Sequence, residues 1–150
     1  MKLYHYTVSG LDNIYLLNGF NIIDTPYGEG VSFDNVDELH KVISKTLLSS
    51  PLRLNSKEYR FLRKEMRLSQ NTLAKTMGTD EQTIARIEKG ETEAKIPFEA
   101  TFRALSGEIL FNKKSQMKLL LSEITNLENK LINKEIYLEK KDSWIYKKAA

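Results

Sequence analysis

Hydrophobic positions follow two different periods along this chain, and the change of period divides it. In residues 1–33 they come in short β-type runs: Leu3, Tyr4, Tyr6 and Val8, then Ile14 to Leu17, then Phe20 to Ile23, then Val31 to Phe33. Ser9-Gly10, Asn18-Gly19 and Pro26 with Gly28 separate the runs. Asn-Gly is a strong hairpin signal, because both central residues of the favoured turn need positive φ. From Val36 to Leu48 the period turns helical, with Val36, Leu39, Val42, Ile43, Leu47 and Leu48 on the apolar side. Ser49-Ser50-Pro51 breaks that helix and marks the expected domain joint. Ser56 to Met66 and Pro97 to Leu105 read as further helices, the first with Tyr59, Leu62 and Met66 inward, the second with Phe98, Phe102 and Leu105.

Residues 113–147 read as one long helix. Met117, Leu120, Ile124, Leu127 and Leu131 fall at alternating three- and four-residue steps, with Leu138 one heptad later and Lys134 and Lys141 as weak links. That is the seam of a coiled coil, which either pairs with a second copy or folds back on its own domain. The expectation is an α+β chain in three parts. Residues 1–50 form a small β-hairpin domain with one helix, 51–110 an all-α domain, and 111–150 an amphipathic dimerisation helix.

The most informative stretch runs from Ser69 to Gly90 and reads as two short helices around a tight turn. Ser69 is an N-cap candidate, since its hydroxyl can accept an orphan N–H of the first turn. Leu73, Ala74 and Met77 share one face, and Gly78 ends the helix without a Cβ penalty. Asp80 can cap the second helix, Ile84 and Ile87 form its buried stripe, and Gly90 ends it. Glu81, Gln82, Thr83, Arg86 and Lys89 then remain exposed on a helix of a size that a DNA major groove accepts.

This segment resembles the helix-turn-helix of the Xre family of phage-repressor-like DNA-binding domains. Ser69-Gln70, Leu73-Ala74, Gly78, Ile84, Ile87 and Glu88-Lys89-Gly90 carry the resemblance, which extends over residues 54–107. It implies that Glu81, Gln82, Thr83 and Arg86 face base edges and that Ser69 and Gln70 dock a helix N-terminus on a phosphate. Gln suits adenine, Arg suits guanine, and Glu can accept from cytosine. Lys89, Arg60, Arg63 and Lys64 are candidates for neutralising the DNA backbone. An ordinary helical hairpin that binds nothing is the competing reading.

The N-terminal layout resembles the zinc-binding half of the MqsA-type antitoxins and their YgiT-like relatives, in which a small β domain precedes an Xre helix-turn-helix. Tyr6 to Gly19, the helix near 36–48 and Leu54 to Arg67 carry this likeness. An unrelated small hairpin domain fits the same pattern. The family's zinc is held by two Cys pairs, and this chain has no cysteine. If related, the domain lacks that metal, and Tyr4, Tyr6, Tyr15, Phe20 and Phe33 must hold it together by packing.

Composition narrows the remaining classes. The chain has 150 residues, 41% hydrophobic and 29% charged, with no apolar run long enough for a bilayer. The N-terminus lacks a basic-then-apolar leader, so cytoplasmic residence and no membrane partner are expected. Charge is uneven. Residues 1–50 carry 3 Lys and Arg against 6 Asp and Glu, whereas 51–107 carry 11 against 8. His5 and His40 lie in different elements, without a second ligand at metal spacing, so no metal or other cofactor is expected. Gly28-Glu29-Gly30 lacks the rest of a phosphate loop, and no serine sits in a nucleophile elbow. Paired acids such as Asp37-Glu38 read as helix-start solvation, and Trp144 with Tyr146 as an apolar anchor. No catalytic site is expected. The sequence points to a DNA-binding transcriptional regulator, a homodimeric repressor reading an inverted repeat through helix 80–89. The alternative is an antitoxin that neutralises a toxin protein through its N-terminal domain and regulates its own operon. A third reading is an adaptor whose helix-turn-helix no longer binds DNA.

Overall fold

The computed structural model describes residues 3–112 and 135–147. Strand β1 (Tyr4–His5) pairs antiparallel with β2 (Tyr15–Leu16), and β3 (Phe20–Thr25) pairs with β4 (Gly28–Phe33). Five helices follow: α1 (Val36–Ser49), α2 (Ser56–Glu65), α3 (Gln70–Met77), α4 (Glu81–Lys89) and α5 (Ile96–Phe111). The last described element is a hairpin of β5 (Leu138–Lys140) and β6 (Trp144–Tyr146). The chain is α+β, as its two hydrophobic periods predict.

Asn18-Gly19 does not close a hairpin. Gly19 takes a positive φ of 79°, but Asn18 does not, so the two-residue turn is not made. The strands on either side of it pair elsewhere, β2 with β1 and β3 with β4. The second hairpin turns at Pro26-Tyr27 instead, where the Thr25 hydroxyl donates to the Gly28 carbonyl at 2.5 Å. Tyr4 packs on Phe20 and Phe33 at 5.2 and 5.4 Å between ring centroids, and Tyr6 meets Phe33 at 5.0 Å. Tyr15 lies outside this cluster, exposed and stacked on His5.

The long C-terminal helix is not found over residues 135–147. Leu138, expected in a coiled-coil seam, sits in β5 and is exposed. Tyr137, Trp144, Ile145 and Tyr146 favour a pleated strand, and here that preference outweighs the helical spacing of the leucines. Met117, Leu120, Ile124, Leu127 and Leu131 lie outside the described residues.

The helix ends form where local chemistry dictates. Asn55 and Glu58 make a reciprocal capping box at α2: the Asn55 side chain accepts from the Glu58 amide at 2.9 Å, and the Glu58 side chain accepts from the Asn55 amide at 2.8 Å. Ser69 accepts from the Thr72 amide at 3.0 Å, and Asp80 from the Thr83 amide at 2.7 Å. That bond, with a second from the Thr83 side chain, holds the Asp80 carboxyl below its ordinary range. Gly78 and Gly90 close α3 and α4 in the left-handed region, at φ 69° and 77°.

One hydrophobic cluster runs through both halves, from Tyr6, Leu11, Ile43 and Leu47 to Leu62, Met66, Leu73, Ile84 and Phe102. Val36 and Val42, expected on the core side of α1, are exposed. Across the joint, His40 links α1 to α2 and to the segment after β1: its Nδ1 meets Glu65 at 2.6 Å and its Nε2 meets the Tyr6 hydroxyl at 2.8 Å. Burial, then the Glu65 charge, pushes the Tyr6 hydroxyl above its usual range.

The Ser49–Pro51 break is a corner clamped by α5. Arg103 donates to the carbonyls of Leu47, Leu48 and Ser50 at 3.3, 3.2 and 2.8 Å, and to that of Leu52, so the orphan acceptors at the end of α1 are satisfied. Its Nε donates to Glu99 at 3.2 Å. The buried Glu99 carboxylate also accepts from Arg53 at 2.9 Å, Tyr59 at 3.0 Å and the Leu54 amide at 3.2 Å. Burial alone would raise the Glu99 carboxyl, but these bonds outweigh it and hold the group below its ordinary range.

A carboxylate lowered in this way contributes stability that is present above its unfolded value of about 4.3 and is lost as pH falls through the folded one. Glu99→Gln, which cannot titrate, should therefore be less stable than wild type at pH 7 and lose less on going from pH 7 to pH 3. Denaturant unfolding at the two pH values measures this; parallel losses would show that Glu99 does not link folding to pH.

Candidate nucleic-acid interface

The helix-turn-helix is α3, the turn at Gly78-Thr79-Asp80, and α4. At the turn the Thr79 amide reaches back to the Ala74 carbonyl at 2.9 Å, which closes α3 and aims the chain into α4. Leu73 and Ala74 of α3 and Ile84 and Ile87 of α4 are buried against α2 and α5. The opposite face of α4 presents Glu81, Gln82, Arg86 and Lys89, all exposed, while Thr83 is half-buried at its edge. Gln82 and Arg86 are one turn apart and stand side by side. The Asn71 amide of α3 donates to Glu81 at 3.4 Å, which brings the start of α4 next to the start of α3.

At the α3 N-terminus the Ser69 and Gln70 side chains are engaged within the protein, contrary to the sequence-based expectation that they face outward. The Ser69 hydroxyl is engaged within its own turn, accepting from the Thr72 amide and donating to Thr72 Oγ1, each at 3.0 Å. The half-buried Gln70 side chain turns inward and donates to Glu88 at 3.2 Å. What this end offers is the first-turn backbone N–H groups of Gln70 and Asn71, together with the helix dipole.

Arg63 does not belong with the phosphate contacts. Its Nε and Nη2 donate to the two Glu88 carboxylate oxygens at 2.7 and 2.9 Å, and Nη1 donates to the Leu68 carbonyl at 2.9 Å. The two side chains are 11% and 4% exposed, so the Arg63 guanidinium is buried on Glu88 rather than presented to a DNA backbone. Arg60, Lys64 and Lys89 are exposed. Lys64 lines a cleft formed by α1, α2 and α5, to which α4 contributes nothing.

Glu88 is the residue that sequence reasoning undervalued. An acid in the last turn of a helix opposes the dipole there, and this was the available signal that it has a specific partner. The exposed charge around the interface is mixed: Glu81, Glu91 and Glu93 stand among Arg86, Lys89 and Lys95. Among the described residues, no three His, Asp or Glu are placed to hold a metal ion, and no helix is long and apolar enough to cross a membrane.

Removing one partner of a buried ion pair leaves the other charge uncompensated. Glu88→Ala or Arg63→Ala should each cost about 3–5 kcal/mol of stability. Lys89→Ala, on the exposed face, should stay within about 0.5 kcal/mol of wild type. Denaturant unfolding reads both, and an Arg63→Ala protein as stable as Lys89→Ala would contradict the buried role.

Residues 60–97 match the family model described as helix-turn-helix. The match takes in the second half of α2, all of α3 and α4, and the start of α5. No curated protein and no solved structure proved similar to the chain. With caps, turn and buried stripe in place over the matched residues, the chain carries a helix-turn-helix of the Xre type, the DNA-binding unit of a transcriptional regulator.

Proposed function

We propose that the protein is a sequence-specific repressor that acts as a cytoplasmic homodimer and reads an inverted repeat through α4. One observation carries this reading. Ile84 and Ile87 anchor one side of α4 in the core, and Glu88 is held by Arg63, so Gln82 and Arg86 are presented outward on a fixed helix. Glu81, Gln82, Thr83 and Arg86 read base edges. The Gln70 and Asn71 amides, Arg60 and Lys89 contact the backbone. Two copies related by a two-fold axis would read half-sites about one helical turn apart. The heptad positions Met117, Leu120, Ile124, Leu127 and Leu131 supply the dimer contact.

A second reading, the antitoxin, is favoured by the N-terminal half. Residues 3–40 contain six acids and no Lys or Arg, and hairpin β3–β4 exposes Ile22, Ile23 and, fully, Tyr27. Such a surface repels DNA and suits a protein. Failure of the product of the adjacent gene to bind this chain would remove the reading.

Gln82→Ala and Arg86→Ala should each cost about 1–3 kcal/mol on the selected operator and relax preference at particular base pairs. Lys89→Ala should weaken operator and scrambled DNA alike and lower the salt slope by about one unit. Titrations at several salt concentrations separate the two effects. Equal losses on both DNAs for Arg86→Ala would make it a phosphate contact.

Ile124→Lys with Leu131→Lys should shift the protein towards monomer, since charge in a buried seam is costly. An unchanged mass by light scattering would place the dimer interface elsewhere.

A further inference from the structure

Helices α1 and α2, consecutive in the chain, and the end of α5 line an open cleft to which α4 contributes nothing. It has a volume of about 580 Å³, within the usual range for small-molecule sites. Its walls combine two chemistries. Lys41 of α1, with Lys64 and Arg67 at the end of α2, bring three cations to it; Val36, Leu110 and Phe111 give it an apolar side. Val36 and Phe111 are 40% and 41% exposed, so apolar surface is open to a ligand there.

The charges are the informative part. Arg53, Lys57, Arg63 and Arg103 are each ion-paired to a carboxylate. Lys41, Lys64 and Arg67 form no ion pair among the described residues. Of the two acids at the cleft, Glu65 has one carboxylate oxygen on His40, so three cations stand against two carboxylates and positive charge is in excess. Arg67 adds an independent observation. It occupies the left-handed position that closes α2, at φ 58°, with its amide on the Lys64 carbonyl and the Leu68 amide on that of Arg63. Glycine is the residue that fits such a position without strain, so an arginine there places a charge at the cleft against the backbone preference. A second cleft of about 320 Å³ lies beside Gly90, but its cation, Arg53, is already committed to Glu99.

We infer that the α1–α2–α5 cleft binds a small organic anion, with a carboxylate, sulfonate or phosphate held by Lys41, Lys64 and Arg67 and an apolar body lying on Val36, Leu110 and Phe111. The inference does not depend on how α4 reads DNA.

The probe is 8-anilinonaphthalene-1-sulfonate, followed by fluorescence and by amide NMR shifts, with uncharged N-phenyl-1-naphthylamine as control. Saturable 1:1 binding is expected, with shifts at residues 36–44, 64–67 and 110–111 and much weaker binding of the neutral compound. Arg67→Gly removes the charge while suiting the turn, so its fold is safe; combined with Lys41→Ala it should weaken probe binding at least tenfold. Equal affinity for the neutral compound, shifts elsewhere, or unchanged binding by the double variant would overturn the site. So would a loss of DNA affinity in Arg67→Gly with probe binding intact, which would make Arg67 a phosphate contact.

Discussion

The ion pair between Arg63 and Glu88 is the contact on which the DNA-facing geometry depends. It joins the last turn of α2 to the last turn of α4, 25 residues apart in the chain. Both charges are taken out of water, which costs several kcal/mol per ion and is offset only by close pairing and further hydrogen bonds. Here each charged nitrogen and oxygen has a partner: two bonds run between the fork and the carboxylate, the remaining guanidinium nitrogen reaches the Leu68 carbonyl, and Gln70 adds a donor to Glu88. The pair therefore sets more than the angle of α4. Through Leu68 and Gln70 it also fixes where α3 begins, so the free amides of α3 and the exposed face of α4 are held in one register.

A second buried charge performs the same service for the other half of the molecule. Glu99 gathers Arg53, Tyr59, Arg103 and the Leu54 amide, and Arg103 in turn holds the carbonyls at the end of α1. The acidic N-terminal half is thus tied to the helix-turn-helix through bonds of matched charge as well as through the shared hydrophobic cluster.

What was legible in the sequence is what is decided locally. Ser69, Asp80, Gly78 and Gly90 could be assigned because a cap or a left-handed turn depends on a few adjacent residues. The Ile84 and Ile87 stripe was legible from its period. Pairings at long range were not. Nothing adjacent to Arg63 marks it as buried, and a basic residue on a DNA-binding unit reads naturally as a phosphate contact. Asn18-Gly19 carries a valid hairpin signal, but its flanking strands find better partners in β1 and β4. Val36 follows the helical period of α1, yet it faces a cleft rather than the core. At 138–146 two local preferences conflict, and the aromatic and β-branched residues prevail over leucine spacing.

The central claim is that α4, held by Arg63 and Glu88, is the element that enters the groove. The most direct test is an amide NMR titration of the full chain with a duplex obtained by selection from random sequence. If α4 reads the groove, the largest shifts fall on Glu81 to Arg86 and on Ser69 to Asn71, while residues 3–33 stay unmoved. Shifts concentrated in the N-terminal hairpins or in β5 and β6, with α4 silent, would contradict it.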